Sequence, residues 1–122
     1  MVERKILDIF QPDVMYLGGL TRTLQVAKII EEAGFICTPH SANLSLVTIC
    51  TMHLLKAIPN AGPYLEFSIE GDDYYPWQKD LFLDNPFAIE NGCVTVTEKP
   101  GWGVNINPEW TNSADYQVSE IN

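Results

Sequence analysis

Three ionisable residues, His40, Asp13 and Glu66, carry the side chains of this sequence that are best suited to acid–base chemistry. His40 follows the apolar stretch FICT at residues 35–38, and neutral imidazole accepts a proton that imidazolium can return. Glu66 lies inside YLEFS, residues 64–68, where a charged side chain is costly to bury unless it is paired or protonated. Each residue also has a purely structural interpretation: a loop histidine, a turn or strand-start aspartate, and a glutamate on an exposed strand face.

Alternating strands and helices are expected to position these residues. Short apolar stretches predict three strands, at residues 13–17, 35–38 and 64–68. Between them, helical periodicity predicts one helix over residues 21–34 and another from about 43 or 45 to 57. This alternation is typical of a parallel α/β fold, whose near-continuous apolar strands are buried on both faces of the sheet.

The first predicted helix has the clearest pattern. Its apolar stripe contains Leu24, Ala27, Ile29 and Ile30, and Gly34 is a natural C-terminal cap. The two ends of the chain are less regular. Residues 2–10 are interpreted as the tail of a further helix. Near the other end an alternating strand is predicted over residues 93–98, and the last fifteen or so residues are expected to fray.

Composition and charge narrow the possible functions. The formal net charge is -9, with 16 acidic and 7 basic residues, which disfavours binding to nucleic acid or to an anionic membrane surface. The 3 cysteines lack metal-site or redox spacing, which favours reduced, mostly buried thiols. We therefore expect a cytoplasmic protein with no nucleic-acid partner and no membrane partner.

Three passages, in their order and spacing, resemble the mandelate racemase and acid-sugar dehydratase subgroup of the enolase superfamily. They are QPDVMYLGGLT (residues 11–21), CTPHSAN (37–43) and PYLEFSIE (63–70), and a Pro-Gly-x-Gly-x turn at residues 100–104 fits the end of that family. The resemblance implies α/β architecture. The chain would be the C-terminal part of a modified (β/α)7β barrel, with about three parallel strands, two helices and a C-terminal capping segment.

The same resemblance divides the chain in two and assigns its cofactor. Residues 1–69 would be the last βα units of the barrel, and residues 70–122 a C-terminal segment returning to the capping domain. The complete enzyme would use Mg2+, held by carboxylates on earlier barrel strands that would precede Met1. This chain would therefore contribute no metal ligand and no residue that binds a cofactor.

The residue roles also follow from the resemblance. His40 would be the general base or acid, Asp13 would pair with His40, and Glu66 would donate a hydrogen bond to the substrate carboxylate, with Glu70 as the alternative third residue. The reaction would remove the proton alpha to a carboxylate of a small substrate. Sugar-acid dehydration and 2-hydroxy-acid racemisation both begin with this step, and a lyase or an isomerase is implied.

Two alternatives remain open at this stage. The chain alone is expected to be inactive, and it could be a non-catalytic truncated fragment. A three-stranded sheet has two open edges, which favours a homo-oligomer or association with a missing N-terminal part. The other alternative is a small flavodoxin-like binding module, in which Gly18 and Gly19 before a helix form a weak candidate phosphate loop. His53 is assigned no role, and the adjacent carboxylates Asp72 and Asp73 are weak evidence for a cation site.

Overall fold

The structure, a computed structural model, describes residues 2–41, 43–70, 73–77 and 79–120. Two strand–helix units come first, and a hairpin and a short helix follow. The elements are β1 (Ile9–Phe10), α1 (Leu20–Glu32), β2 (Ile36–Cys37), α2 (Leu46–Ala57), β3 (Ile89–Glu90), β4 (Cys93–Val94) and α3 (Pro108–Ser113). This order confirms the predicted α/β class and the two predicted long helices.

The first two strands pair in parallel, with Ile9 opposite Ile36 and Phe10 opposite Cys37. The parallel register continues past the ends of both strands to a bridge between Asp13 and His40. Because side chains alternate between the faces of a strand, residues 9 and 13 share one face, as do residues 36 and 40. Both predicted proton-transfer residues therefore lie on the same face, at the carboxyl ends of β1 and β2.

A third chain segment extends this parallel arrangement by one bridge, between Cys37 and Ala61. The backbone amide of Gly62 donates to the carbonyl of Cys37 at 2.9 Å, and the amide of Cys37 donates to Asn60 at 2.9 Å. The predicted strand at residues 64–68 is wrong, because the parallel contact lies a few residues earlier and residues 64–68 have no strand assignment.

The predicted strand at residues 13–17 is also wrong, because only Asp13 forms a bridge and residues 14–17 are a turn. One carboxylate oxygen of Asp13 accepts hydrogen bonds from the backbone amides of Met15 and Tyr16, at 2.8 and 3.1 Å. An aspartate that binds the amides two and three residues further along favours a turn over an extended strand. The predicted helical tail at residues 2–10 is wrong as well, because turns and β1 occupy it.

Helix α1 ends in a Schellman motif. The amide of Phe35 donates to the carbonyl of Ile30 at 3.0 Å, and the amide of Gly34 donates to Glu31 at 2.8 Å. Gly34 has a φ of 78°, a conformation that glycine adopts without steric cost. The motif returns the chain directly to the start of β2.

Helix α2 is buried on both sides, because a different apolar cluster covers each of its faces. Ser45 caps its N-terminus by accepting a hydrogen bond from the amide of Val47. One cluster joins α2 to α1 and the two parallel strands, and it is made of Phe10, Val14, Ala27, Ile30, Cys37, Leu54 and Ile58. The other joins α2 to the C-terminal segment through Ile49, Met52 and Phe82. Helix α2 therefore holds the two regions of the molecule together.

The C-terminal segment contains short elements. Strands β3 and β4 form an antiparallel hairpin around Asn91 and Gly92, both of which have positive φ. The predicted strand at residues 93–98 is confirmed only over Cys93–Val94. The last part of the chain contains one short helix, α3, where Pro108 occupies the first turn and Asn107 caps the helix. Residues 114–120 are exposed and form no helix or strand, so the expected fraying beyond α3 stays a prediction.

The cysteines were predicted to be reduced and mostly buried, and only the first half of this prediction agrees with the structure. All three are free thiols, but only Cys37 is buried, while Cys50 is half-buried and Cys93 is exposed. Burial raises the pKa of the Cys37 thiol to about 11, so it stays protonated at neutral pH. In the part of the chain that the structure describes, no helix is both long and apolar enough to cross a membrane.

Candidate active site

His40 lies between two carboxylates that come from different parts of the chain. Its Nδ1 atom is 2.8 Å from Oδ2 of Asp13, and its Nε2 atom is 3.4 Å from Oε2 of Glu66. The backbone amide of His40 also donates to the carbonyl of Pro12 at 3.0 Å, which fixes the ring beside the end of β1. The structure thus brings together all three residues that the sequence singled out.

Asp13 is held from both sides. One of its oxygens is occupied by the two turn amides and the other by the His40 ring, and its side chain is only 14% exposed. Burial raises the pKa of Asp13, but the hydrogen bonds from His40, Tyr16 and Met15 together outweigh burial and hold this pKa below its ordinary value. Asp13 is therefore ionised at neutral pH, and it accepts the Nδ1 hydrogen of His40.

The direction of the hydrogen bond between Nδ1 and Asp13 determines what the other ring nitrogen can do. With Nδ1 donating to Asp13, the Nε2 atom of neutral His40 carries a free lone pair. Glu66 lies against that same nitrogen, with its Oε2 atom 3.4 Å away. His40 and Glu66 are both roughly half-exposed, so a substrate can reach them. The arrangement can accept a proton at Nε2 and can hold a proton beside a bound anion.

Glu66, and not Glu70, lies beside His40. The carboxylate of Glu70 instead binds the hydroxyl of Ser68, and this hydrogen bond lowers the pKa of Glu70. Glu66 reaches the ring because the third parallel segment ends near Ala61 and the chain then passes His40. Sequence analysis left these two glutamates as alternatives, and the geometry favours Glu66.

A buried hydroxyl network supports the loop that carries His40. The hydroxyl of Ser41 donates to Thr48 at 2.8 Å, and Ser45 donates to the side chain of Asn43 at 2.7 Å. Ser41 and Thr48 are almost completely buried. Sequence analysis missed this network, although the density of hydroxyl and amide residues at the start of α2 could have indicated it.

A cavity of about 340 Å³ opens beside the Asp13–His40 pair. Its wall is shared between the turn after β1, the loop after β2, the start of α2 and the C-terminal segment. The residues that line it are Asp13, Met15, Tyr16, His40, Ser41, Asn43, Val47 and Tyr75. Sequence analysis did not identify Tyr75, because its segment has no periodicity that places it in the fold.

The described residues do not form a metal site. Among them, no group of three or more histidine, cysteine, aspartate or glutamate side chains is arranged to hold a metal ion. Mg2+ prefers several oxygen ligands in octahedral geometry, whereas the Asp13 oxygens already bind two backbone amides and a histidine. Asp72 of the Asp72–Asp73 pair lies outside the described residues.

The other histidine and the tryptophans lie elsewhere. His53 is 3.1 Å from the carbonyl of Trp102 through Nε2, and the two rings meet edge to face. Trp77 donates from its indole nitrogen to the carbonyl of Asn43 at 3.3 Å. Trp110 is half-buried in α3. These contacts are structural, so the site described above contains one histidine.

Barrel enzymes carry their catalytic side chains at the carboxyl ends of parallel strands, and the Asp13–His40 pair lies at such an end. The profile of the family described as enolase C-terminal domain-like matches residues 1–110 of this sequence, and the chain belongs to this family. This membership confirms the resemblance to the enolase superfamily and the assignment to part of a barrel. It also replaces the alternative of an independent flavodoxin-like module.

Known proteins similar to this chain are much longer than the chain itself. An L-rhamnonate dehydratase from Saccharopolyspora erythraea is 30% identical over 105 residues, which cover 84% of this chain and 25% of the dehydratase. A crystal structure of a candidate racemase from Roseobacter denitrificans is 60% identical, with a TM-score of 0.91, and the match covers 99% of this chain and 33% of that one.

A third relative was solved with bound ligands. An enolase from Pseudomonas fluorescens, with bound magnesium, potassium and tartrate, is 26% identical with a TM-score of 0.70. The match covers 91% of this chain and 26% of that one. The present chain thus spans about a quarter to a third of the length of these three relatives.

Proposed function

We propose that this chain supplies the acid–base half of an active site that removes the proton alpha to a carboxylate. The observation that supports this proposal most strongly is the position of His40, with Nδ1 2.8 Å from Asp13 and Nε2 3.4 Å from Glu66. Asp13 and His40 also line a cavity. Membership of the enolase C-terminal domain-like family supports the same reaction class. Within this proposal Asp13 positions His40, and His40 transfers the proton.

The first step uses the free lone pair on Nε2 of His40. This nitrogen takes the proton from the carbon beside the substrate carboxylate, and the electrons of the broken C–H bond pass into an enediolate. The ring becomes an imidazolium, whose positive charge lies 2.8 Å from ionised Asp13. Asp13 thereby stabilises the charged ring and holds the orientation that leaves Nε2 on the side of Glu66.

Glu66 stabilises the enediolate in this proposal. A protonated Glu66 donates a hydrogen bond to a carboxylate oxygen whose negative charge grows as the proton leaves. Hydrogen-bond donors directed at a developing charge commonly contribute about a hundredfold to a thousandfold to the rate. Its distance of 3.4 Å from the ring nitrogen puts this donor beside the atom that accepts the proton.

Dehydration of a sugar acid is the reaction that we favour. The enediolate electrons form a double bond to the next carbon, the C–O bond on that carbon breaks, and the leaving hydroxide takes the proton held by His40. The products are water and an enol, which becomes a 2-keto acid. The similarity to an L-rhamnonate dehydratase over 84% of the chain supports this outcome.

Racemisation of a 2-hydroxy acid is the second candidate. The same enediolate would then receive a proton on its opposite face, from an acid that another part of the barrel supplies. The similarity to a candidate racemase at 60% identity supports this outcome. Both reactions share the first step, so His40, Asp13 and Glu66 keep the same roles in each.

Magnesium belongs to the complete enzyme in this proposal. The relative from Pseudomonas fluorescens holds magnesium together with tartrate, a small carboxylate. Bound metal supplies electrostatic stabilisation of the substrate carboxylate. Because the described residues of this chain form no metal-binding group, its ligands would lie on other strands of the barrel. The chain alone is then expected to be inactive.

Deuterium exchange tests the shared first step. A hybrid protein, in which this chain replaces the matching third of the Roseobacter protein, is incubated with Mg2+ and a panel of sugar acids and 2-hydroxy acids in D2O. NMR follows the signal of the proton alpha to each carboxylate. We expect at least one acid to lose this signal faster with the hybrid than with the isolated chain.

The products separate the two reactions. Formation of a 2-keto acid indicates dehydration, whereas deuterium gain with inversion of configuration indicates racemisation. A folded hybrid that binds Mg2+ and exchanges no acid of the panel would contradict the proposed role. Full activity of the isolated chain without the hybrid would instead contradict the division of the site between this chain and other strands.

A further inference from the structure

One wall of the cavity beside His40 is not required by proton transfer. Tyr75, from the C-terminal segment, lines the cavity together with Met15, Tyr16 and Val47. The side chains of Met15 and Val47 cannot exchange protons, and they contribute shape alone. A substrate whose reacting carbon lies at His40 would direct the rest of its chain toward these residues.

Aromatic neighbours hold Tyr75 in place. Its ring centroid lies 5.2 Å from that of Trp77 and 4.7 Å from that of Tyr74. The indole of Trp77 donates to the carbonyl of Asn43, in the loop that follows His40. The C-terminal segment is thereby tied to the loop of the reacting histidine, and Tyr75 is fixed relative to the cavity.

The hydroxyl of Tyr75 is a hydrogen-bond donor at neutral pH. Burial raises the pKa of this phenol, and the nearby charges of Tyr74 and Glu70 raise it further. A protonated phenol presents an apolar ring and a polar tip, which suits a chain that carries both C–H groups and hydroxyls. Met15 and Val47 supply apolar contact on other parts of the same wall.

We propose that Tyr75 is a specificity-determining residue that limits the length of the chain attached to the reacting carbon of the substrate. The inference rests on the proposed function, because it takes the cavity beside His40 as the substrate site. Removing the ring enlarges the cavity of about 340 Å³ that Tyr75 lines and leaves Asp13 and His40 unchanged. The kcat/KM for longer acids then rises relative to that for shorter acids, while proton transfer at His40 is unchanged.

The test compares Tyr75→Ala with Tyr75→Phe in the hybrid protein, using tartrate as the short acid and L-rhamnonate as the long acid. We expect Tyr75→Ala to raise the ratio of kcat/KM for the long acid over the short acid by about tenfold to a hundredfold. The change should come mainly through KM, with the pH profile of kcat unaltered. Tyr75→Phe keeps the ring and should keep the parent's ratio.

The matched control is Tyr116→Ala, because Tyr116 is 90% exposed and does not line the cavity. This variant should keep the parent's ratio. NMR titration of the full chain with tartrate adds a measurement that needs no turnover: we expect shifts at Tyr75 and His40. Tyr75→Leu, which fills part of the same space, provides the same comparison where Tyr75→Ala does not fold.

The outcomes separate the two proposals. An unchanged ratio in folded Tyr75→Ala, in a hybrid that turns over, overturns this inference and leaves the proposed function intact. An equal change in Tyr116→Ala also overturns it, since that effect is not local to the cavity. If the parent protein neither turns over an acid nor binds tartrate, the proposed function fails and this inference fails with it.

Discussion

The parallel ladder and the C-terminal segment contribute differently to the molecule. The ladder, residues 9–62, contains both long helices and nearly all of the buried apolar residues, such as Ile30 at 1% exposure. The C-terminal segment, residues 63–120, contains elements of two to six residues, and Phe82 is its one buried apolar residue among those described. The ladder therefore positions His40, whereas the C-terminal segment contributes Tyr75 to the wall of the cavity beside His40.

The largest expected effect tests which glutamate of the C-terminal segment completes the site beside His40. Glu66→Ala removes the carboxyl group beside His40, and we expect α-proton exchange by the hybrid protein to fall about a hundredfold to a thousandfold. Glu70→Ala, four residues further along, should leave the exchange rate near that of the parent. Deuterium exchange measured by NMR checks both. The reverse order of effects would make Glu70, and not Glu66, the third residue of the site.

The next prediction tests whether the buried core of the ladder provides most of the chain's stability against unfolding. Ile30→Ala leaves a cavity under α1, and we expect the free energy of unfolding to fall by about 2–5 kcal/mol. Ile29→Ala is the matched control, because Ile29 is the adjacent residue of the same helix and is 55% exposed. Denaturant unfolding of the chain gives both values. Equal losses would mean that α1 packs differently from the described structure.

The elements of the ladder were predicted from the sequence more accurately than those of the C-terminal segment, and the reasons are physical. The apolar periodicity and the cap at Gly34 determine α1 locally, so the helix itself was predicted correctly. Its predicted stripe was right for Ala27 and Ile30 but wrong for Leu24 and Ile29, which are 46% and 55% exposed. The turn after β1 was missed because it depends on the Asp13 carboxylate binding two amides, a side-chain effect that an apolar pattern does not reveal. Asn91 and Gly92 did carry a hairpin signal, and sequence analysis overlooked it.

The site was predictable only in part. His40 and Asp13 were found through family resemblance, since nothing in the residue pattern alone indicates that residues 27 positions apart should meet. Tyr75 was not found, because its place depends on Trp77 binding the carbonyl of Asn43. A contact of this kind arises from tertiary packing and leaves no periodic pattern in the sequence.

The pH dependence of the unfolding free energy tests how much Asp13 stabilises the ladder. Because its pKa is lowered in the folded chain, Asp13 contributes stability that is fully present above its ordinary pKa, about 4. This stability is lost as the pH falls through the lower folded value. We expect the difference in unfolding free energy between the parent and Asp13→Asn to shrink on acidification below about pH 4. Chemical denaturation at each pH checks this, and divergence on acidification would contradict it.

The smallest effect concerns the exposed ion pairs of the C-terminal segment. Lys99 lies 3.3 Å from Asp84, and the lysine side chain is largely exposed. We expect Lys99→Ala to cost less than about 1 kcal/mol of unfolding free energy. Asp84→Ala should cost more, because Asp84 also accepts the backbone amide of Asn105 at 3.2 Å. Thermal or denaturant unfolding separates them, and a larger loss for Lys99→Ala would show that the ion pair dominates.

The most direct test of the account compares the two histidines of the chain. His40→Asn and His53→Asn are prepared in the hybrid protein, and α-proton exchange in D2O is measured with the best acid of the panel. General acid–base catalysis by a positioned side chain contributes about a hundredfold to ten-thousandfold, so His40→Asn should lose exchange by that factor while His53→Asn keeps it. Equal rates in the folded His40→Asn variant and the parent would contradict the assignment of His40 as the proton-transfer residue.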